Sequence, residues 1–337
     1  MKKQSVTISE IARLAGVNVS TVSRTINHPE MVDEKTRQKV MYYVRQFNYR
    51  PNPFARGLQT RRSQIVALVV PNYTNLSFAN LSRGVQEGLR LTDNAMVIFS
   101  SRESEKWERR VCREVANLHI DGVIFASASS MMPPLEELQE HTAKLLIDRD
   151  GSDRGIDSLL FDFKRGFIDA VGYFKEYGHK KIALIAGDLK SYTGMEKKEA
   201  FLNALRHHDL PSDDRCIVDT FWSAEAGWTG TEQLLKTDCR PTAIIAATDT
   251  LAKGVVGALA FHGLKVPQDM SVVGMNDEPD SGFLNPPLTT MRFNDYGMGM
   301  DAARLIMRRI SDPESSMIMT HYPLEIVERA TVGKAKG

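Results

Sequence analysis

Hydrophobic positions divide the chain into two regions with different periods. Over the first sixty residues they recur at helical spacing. Thr7-Ile8-Ser9-Glu10 has the S/T-x-x-E form of a helix N-cap, and Ile8, Ile11, Ala12 and Ala15 follow on one face. Gly16 ends that helix, since glycine enters the left-handed conformation a tight turn needs. Asn18 is placed to cap a second helix striped by Val19, Val22 and Ile26, with Ser20, Thr21, Ser23 and Arg24 on its polar side. Asp33 is placed to cap a third, whose apolar face holds Val40, Tyr43 or Val44, and Phe47. Two short helices joined by a Gly turn, plus a third, describe a helix-turn-helix module. Asn52 and Pro53 then suit the start of one or two further helical turns, too short to be stable alone in water.

From Ser63 the period changes. Apolar runs at Ile65–Val70, Met96–Phe99, Gly122–Ala126, Leu145–Ile147, Lys181–Ile185 and Ala243–Ala246 alternate with amphipathic stretches at 78–92, 104–118, 163–177, 195–208, 249–262 and 296–310. Near-continuous β-branched runs separated by helices predict parallel strands buried on both faces. There are more of them than one compact open sheet needs. The expected fold class is α/β: an all-α helix-turn-helix head followed by two doubly wound parallel-sheet subdomains, with a ligand between them at the strand C-termini.

Charge sharpens this picture. The 337 residues carry 43 Lys+Arg and 42 Asp+Glu, yet residues 1–62 hold 12 basic and 4 acidic side chains, a net of +8. The rest therefore carries −7. A basic head on a mildly acidic body suggests that the head meets a polyanion, and makes a three-helix bundle without nucleic acid the weaker reading. Three widely spaced cysteines, Cys112, Cys216 and Cys239, offer neither a disulfide framework nor a paired metal-site spacing, which predicts a reducing compartment and no metal. No apolar run approaches the roughly 18 residues of a membrane span, and no h-region follows Met1, so a cytoplasmic protein with no membrane partner is expected.

Enzyme chemistry finds little support. There is no G-x-G-x-x-G after the first strand and no G-x-x-x-x-G-K-[ST], H-E-x-x-H or G-x-S-x-G. His207-His208 is the one histidine pair, and adjacent helix positions point apart. His179, in a loop entering a strand, is expected as a surface turn residue. No catalytic residue and no cofactor are assigned.

The residues of the head carry a resemblance. Val6-Thr7-Ile8, Ile11-Ala12, Ala15-Gly16-Val17, Thr21-Val22-Ser23-Arg24 and Asn27, with Tyr49-Arg50-Pro51-Asn52, Ala55-Arg56 and Leu58, resemble the head and hinge of the lactose-repressor (LacI/GalR) family of bacterial transcriptional regulators. Ala247-Thr248-Asp249, Gly254, Gly263–Asp269, Val272-Val273-Gly274 and Pro287–Thr290 extend the likeness through the effector domain. That domain is periplasmic-binding-protein-like, with three strands crossing between its subdomains. The resemblance implies a DNA-binding head at 1–48, a hinge at 49–62 and an effector domain at 63–337. Within the last, the N-subdomain would take about 63–161 and 292–322, and the C-subdomain 162–291 and 323–337. It also implies a repressor working as a homodimer on a pseudo-palindromic operator, because the tail that makes some members tetramers is absent after Glu328-Arg329. Such a protein is cytoplasmic and sits on the nucleoid when bound.

Family positions imply DNA contacts from Thr7, Val19, Ser20, Thr21, Ser23, Arg24 and Asn27 of the head and from Asn52, Ala55, Arg56 and Leu58 of the hinge. Val19, Ser20 and Arg24 would read bases, with Arg24 able to grip a guanine bidentately. Thr21 and Ser23 would anchor phosphates. Leu58 would wedge into the minor groove. For the effector, strand-end position and the resemblance together select Phe78, Asp148, Arg149, Asp162, Lys197, Trp222, Asp249 and Asn276. Aromatic faces with polar partners suit a polyhydroxylated ring. The family usually has Arg where Lys197 stands and Asp where Asn276 stands. This predicts an effector more anionic than a plain sugar, such as a sugar acid or sugar phosphate. The rival expectation is a cytosolic sugar-binding protein or enzyme whose head does not read DNA. Arg24, Leu58 and the +8 charge speak against it.

Overall fold

The structure is a computed structural model that describes residues 6–49, 62–73, 75–92, 94–127, 129 and 131–336. It divides into two compact units, Met1–Ser63 and Gln64–Gly337. The hinge candidates Asn52, Ala55, Arg56 and Leu58 lie outside the described residues.

The first unit contains helices α1 (Ile8–Ala15), α2 (Val19–Asn27) and α3 (Glu34–Gln46). Thr7 caps α1, its hydroxyl accepting from the Glu10 amide at 3.3 Å, and Asp33 caps α3 through the Thr36 amide at 3.0 Å. Gly16 stands at φ 62°, ψ 37°, the left-handed turn between α1 and α2. Asn18 occupies the N-cap position of α2 but makes no side-chain capping bond there. Ile11, Ala12, Ala15, Val22 and Val40 are buried together, with Val6, Ile26, Tyr43 and Val44 packed around them. That core holds the three helices in one arrangement although each is short.

The second unit is built on two six-stranded sheets. In the first, β1 (Ile65–Val70), β2 (Ala95–Ser100), β3 (Gly122–Ala126), β4 (Ala143–Ile147), β5 (Asp157–Phe161) and β11 (Met319–Tyr322) run parallel in the order 11-5-4-3-1-2. In the second, β6 (Ile182–Gly187), β7 (Ile217–Asp219), β8 (Ala243–Ala246), β9 (Ser271–Met275), β10 (Thr289–Arg292) and β12 (Glu325–Val327) take the order 12-10-9-8-6-7, and only β12 is antiparallel. The chain passes between the sheets three times: after β5, after β10 and between β11 and β12. Helices α4 (Leu76–Arg90) and α10 (Asp295–Ser311) cover one face of the first sheet, and α5 (Glu105–Asn117) covers the other. On the second sheet α6 (Phe163–Glu176) and α7 (Tyr192–His207) lie opposite α8 (Ala224–Leu235) and α9 (Asp249–Phe261). Every residue of β3, β6, β8 and β9 is buried, which explains their unbroken apolar runs.

Helices α8 and α9 touch backbone to backbone. A Cβ on Gly254 would collide with the Ala224 carbonyl oxygen and the Trp228 amide nitrogen. Gly254→Ala must push the helices apart, and overpacking of this kind costs about 1–3 kcal/mol. Urea denaturation should show that loss as a lower midpoint. An unchanged midpoint would mean that the two helices are not in close contact.

Two sequence expectations change. His179 is 2% exposed: Nδ1 lies 2.9 Å from Thr242 Oγ1 and Nε2 lies 3.0 Å from the Gly333 carbonyl. It ties the C-terminal segment to the second sheet instead of lying on the surface, and burial lowers its pKa. Cys216 and Cys239, 23 residues apart, form a disulfide with Cα atoms 5.6 Å apart, while Cys112 is free and buried. The fold brings the start of β7 beside the loop after α8, which no spacing along the chain discloses. Among the described residues, no helix is long and apolar enough to cross a membrane.

Candidate functional site

The head presents one exposed polar helix face. On α2, Val19 is 40% exposed, and Ser20, Arg24 and Asn27 are also exposed. Val22 and Thr25 point inward, and Thr25 returns its hydroxyl to the Thr21 carbonyl at 2.8 Å. Thr21 and Ser23 are half-buried at the edges of the stripe, with Ser23 Oγ accepting from Asn27 Nδ2 at 3.4 Å. Thr7 stands at the start of α1, its hydroxyl engaged as the cap. The outward side chains of α2 thus form a row of short polar groups around one guanidinium. Short polar groups around a guanidinium are the chemistry that base edges in a major groove can accept.

The second site is the cleft between the two sheets. Residues at or just past the C-terminal ends of β1, β3, β4, β5, β8, β9 and β10 contribute to its walls, as parallel sheets place ligands there. Its volume is about 400 Å³, within the range of about 300–1,000 Å³ of small-molecule pockets. One wall carries Asn72, Ser77, Phe78, Ser127 and Asp148; the other carries Thr193, Lys197, Trp222, Thr248 and Asn276. Phe161, Phe163 and Phe293 floor it where the chain crosses, with Phe161 and Phe293 rings 4.2 Å apart.

Lys197 and Asp148 form the electrostatic centre. Lys197 is 5% exposed, donates to the Ala247 carbonyl at 2.8 Å and lies 5.1 Å from the Trp222 ring centroid and 5.3 Å from that of Phe163. Burial lowers its pKa, and the Asp148 carboxylate opposes that shift. Burial raises the pKa of Asp148, against the Thr193 hydroxyl, which donates to it at 2.8 Å, and against the Lys197 charge. The backbone is unusual at two of these positions. Asp148 has φ 56° and Asn276 has φ 113°. Residues held in such conformations outside glycine cluster at ligand sites, because the surrounding fold must impose them.

Five of the eight effector candidates therefore meet in one cleft: Phe78, Asp148, Lys197, Trp222 and Asn276. Three do not line it. Arg149 is 4% exposed, donates to the Ser129 carbonyl and stacks 4.2 Å over Tyr192, because successive residues after a strand point in opposite directions. Asp162 caps α6 through the Arg165 amide at 3.0 Å. Asp249 is fully buried beneath the cleft, where its carboxylate accepts from the Glu278 amide at 2.8 Å, Ser281 Oγ at 2.5 Å and Thr290 Oγ1 at 2.6 Å. Sequence reasoning missed Phe161, Phe163 and Phe293, which look like core residues. It also missed Asp295, which looks like an ordinary acid in the first turn of a helix.

Comparison with known proteins covers both the head and the domain that holds the cleft. Residues 7–52 match the model of bacterial regulatory proteins of the lacI family, and residues 171–332 match a periplasmic binding protein-like domain. The catabolite control protein A of Priestia megaterium is 30% identical over 95% of this chain and 98% of its own. The lac repressor dimer bound to operator and the anti-inducer ONPF superposes with a TM-score of 0.89 at 25% identity, covering 98% of this chain and 100% of that one. The complex of the transcriptional regulator CelR with cellobiose gives 0.74 at 26% identity, covering 96% and 99%. The chain belongs to the lacI family of bacterial regulatory proteins, as a DNA-binding transcription regulator and not an enzyme.

Proposed function

We propose that the chain is a repressor that binds a pseudo-palindromic operator as a homodimer and is switched by a small sugar-like effector in the cleft. The observation that carries this reading is the convergence of both sheets' strand ends on an aromatic and polar cleft, in a chain that also bears a basic helix-turn-helix head. The lac repressor structure supports the dimer and the operator, and the CelR complex supports a saccharide as the ligand class. In this reading residues 1–48 meet DNA, 49–62 form the hinge, and 63–337 hold the effector and the second copy. Val19, Ser20 and Arg24 read bases, while Thr7, Thr21, Ser23 and Asn27 fix register on the backbone. Asn52, Ala55, Arg56 and Leu58 act at the centre of the site, with Leu58 opening one base step. The protein works in the cytoplasm, on the nucleoid when bound.

The switch follows from the three chain crossings between the sheets. A ligand touching both walls favours the closed cleft by its difference in affinity for the closed and open states. Closure moves the first sheet, which is nearer the head in sequence, relative to the second. Selection of bound DNA from a random pool tests this function. The expected product is an inverted repeat around a flexible pyrimidine–purine step, enriched to a different extent when pooled sugars are added. Failure to enrich any sequence, with and without sugars, would remove the operator reading.

A further inference from the structure

The charge balance of the cleft is unusual for a neutral saccharide. Among the described residues that line it, Glu103, Asp148, Glu225, Glu278 and Asp295 face one cation, Lys197. Four of the five acids are accounted for. Glu278 accepts from Lys253 Nζ at 2.7 Å and from Thr250 Oγ1 at 2.8 Å. Asp148 has Thr193 and the neighbouring Lys197 charge. Glu103 is exposed and accepts from the Asn72 amide. Glu225, exposed at the start of α8, is held low by its backbone amide and the Ser223 hydroxyl.

Asp295 is different. It is 6% exposed, begins α10 at the second crossing, after β10, and follows the buried Phe293 on the cleft floor. Among the described residues the Ser77 hydroxyl is the partner that favours its charge, and no cation offsets its burial. Burial pushes its carboxyl up to about 8. A carboxyl group this deep, beside aromatic walls that weaken solvent screening, favours a ligand that brings a positive charge to it. A cation restores the carboxylate form that burial disfavours, whereas a hydroxyl offers a hydrogen bond but no opposite charge.

We propose that the effector carries a protonated amine and that Asp295 selects it, so that the ligand class is a small polyhydroxylated amine of the amino-sugar type. This rests on reading the cleft as the effector site. Lys197 does not argue for an anion instead. Its ammonium already serves the Ala247 carbonyl, lies near Asp148 and faces two aromatic rings. An added carboxylate or phosphate would meet the acid surplus. Lys197, Asn276 and the rings are left to hold hydroxyls and the apolar face of the ring.

Calorimetric titration of the full chain with matched sets tests the assignment: glucose, glucosamine and glucuronate; galactose, galactosamine and galacturonate; mannose, mannosamine and mannuronate. The expected result is one amino sugar binding at least about tenfold more tightly than its neutral parent and its acid. In Asp295→Asn that amino sugar should fall to the level of its neutral parent. Thermal denaturation checks that this isosteric variant is folded, and Asp295→Ser replaces it if it is not. Equal binding of amine and parent, or a preference that survives the substitution, overturns the inference and leaves the sugar reading standing. No binding by any amino sugar also overturns it. The neutral sugars then decide the sugar reading separately.

Discussion

Asp249→Ala lowers the stability of the Gln64–Gly337 unit by about 3–5 kcal/mol, the cost of stranding several buried hydrogen-bond donors at once. Its carboxylate is the shared acceptor of three donors from two later segments: the Glu278 amide and Ser281 hydroxyl after β9, and the Thr290 hydroxyl of β10. Removing it strands all three where they are buried, and each buried unsatisfied donor costs about 1–3 kcal/mol. The same segment carries Asn276, held at φ 113°, and Glu278, so the loss also loosens one wall of the cleft. Asp249→Asn should be much milder. The amide keeps one oxygen for the Glu278 amide and Ser281, and the Thr290 hydroxyl can turn to accept from the new NH2. Scanning calorimetry of both variants checks the ranking. If alanine and asparagine cost the same, or alanine costs under about 1 kcal/mol, Asp249 is not the structural centre described here.

Asp249 also shows where sequence reasoning stops. The strand-end rule selects it together with Phe78, Asp148, Trp222 and Asn276, because all follow strands of parallel sheets. The rule gives the level in the fold but not the direction of the side chain. Asp148 and Arg149 are neighbours, and only the first faces the cleft. Asp295 was not legible for another reason. Its apolar floor and its burial arise where the chain crosses between sheets, and its local signature is that of any acid in a first helical turn. The strands divide in the same way. Ile65–Val70, Gly122–Ala126 and Ala243–Ala246 are buried on both faces and read as apolar runs. The three-residue β7 and β12, at sheet edges, carry too few positions to show a period. The head was legible almost residue by residue because caps, turn and core all lie within one short stretch. The exceptions are Asn18, whose capping side chain stays unused, and Val19 and Phe47, expected on the apolar stripes but exposed.

Arg24→Ala should cost the largest share of operator affinity of any single head substitution. Arg24 stands exposed on α2, beside Ser20 and clear of the buried Val22. A guanidinium gripping guanine O6 and N7 contributes about 1–3 kcal/mol of discrimination per site. In the proposed two-fold complex both copies lose it, so specific binding should weaken by about 2–6 kcal/mol, roughly 30-fold to 10⁴-fold. Nonspecific binding depends on the whole +8 head and loses one charge in each copy, so it should fall far less and with a slightly shallower salt slope. Arg24→Lys separates the two roles. Lysine keeps the charge but not the planar fork. If Arg24 reads a base, lysine restores nonspecific binding and leaves operator binding weak. If lysine restores both, Arg24 is a phosphate anchor, and sequence reading must come from Val19 and Ser20 at the start of α2, whose side chains can offer one apolar contact and one hydroxyl. Gel shifts on operator and random DNA at two salt concentrations distinguish these outcomes.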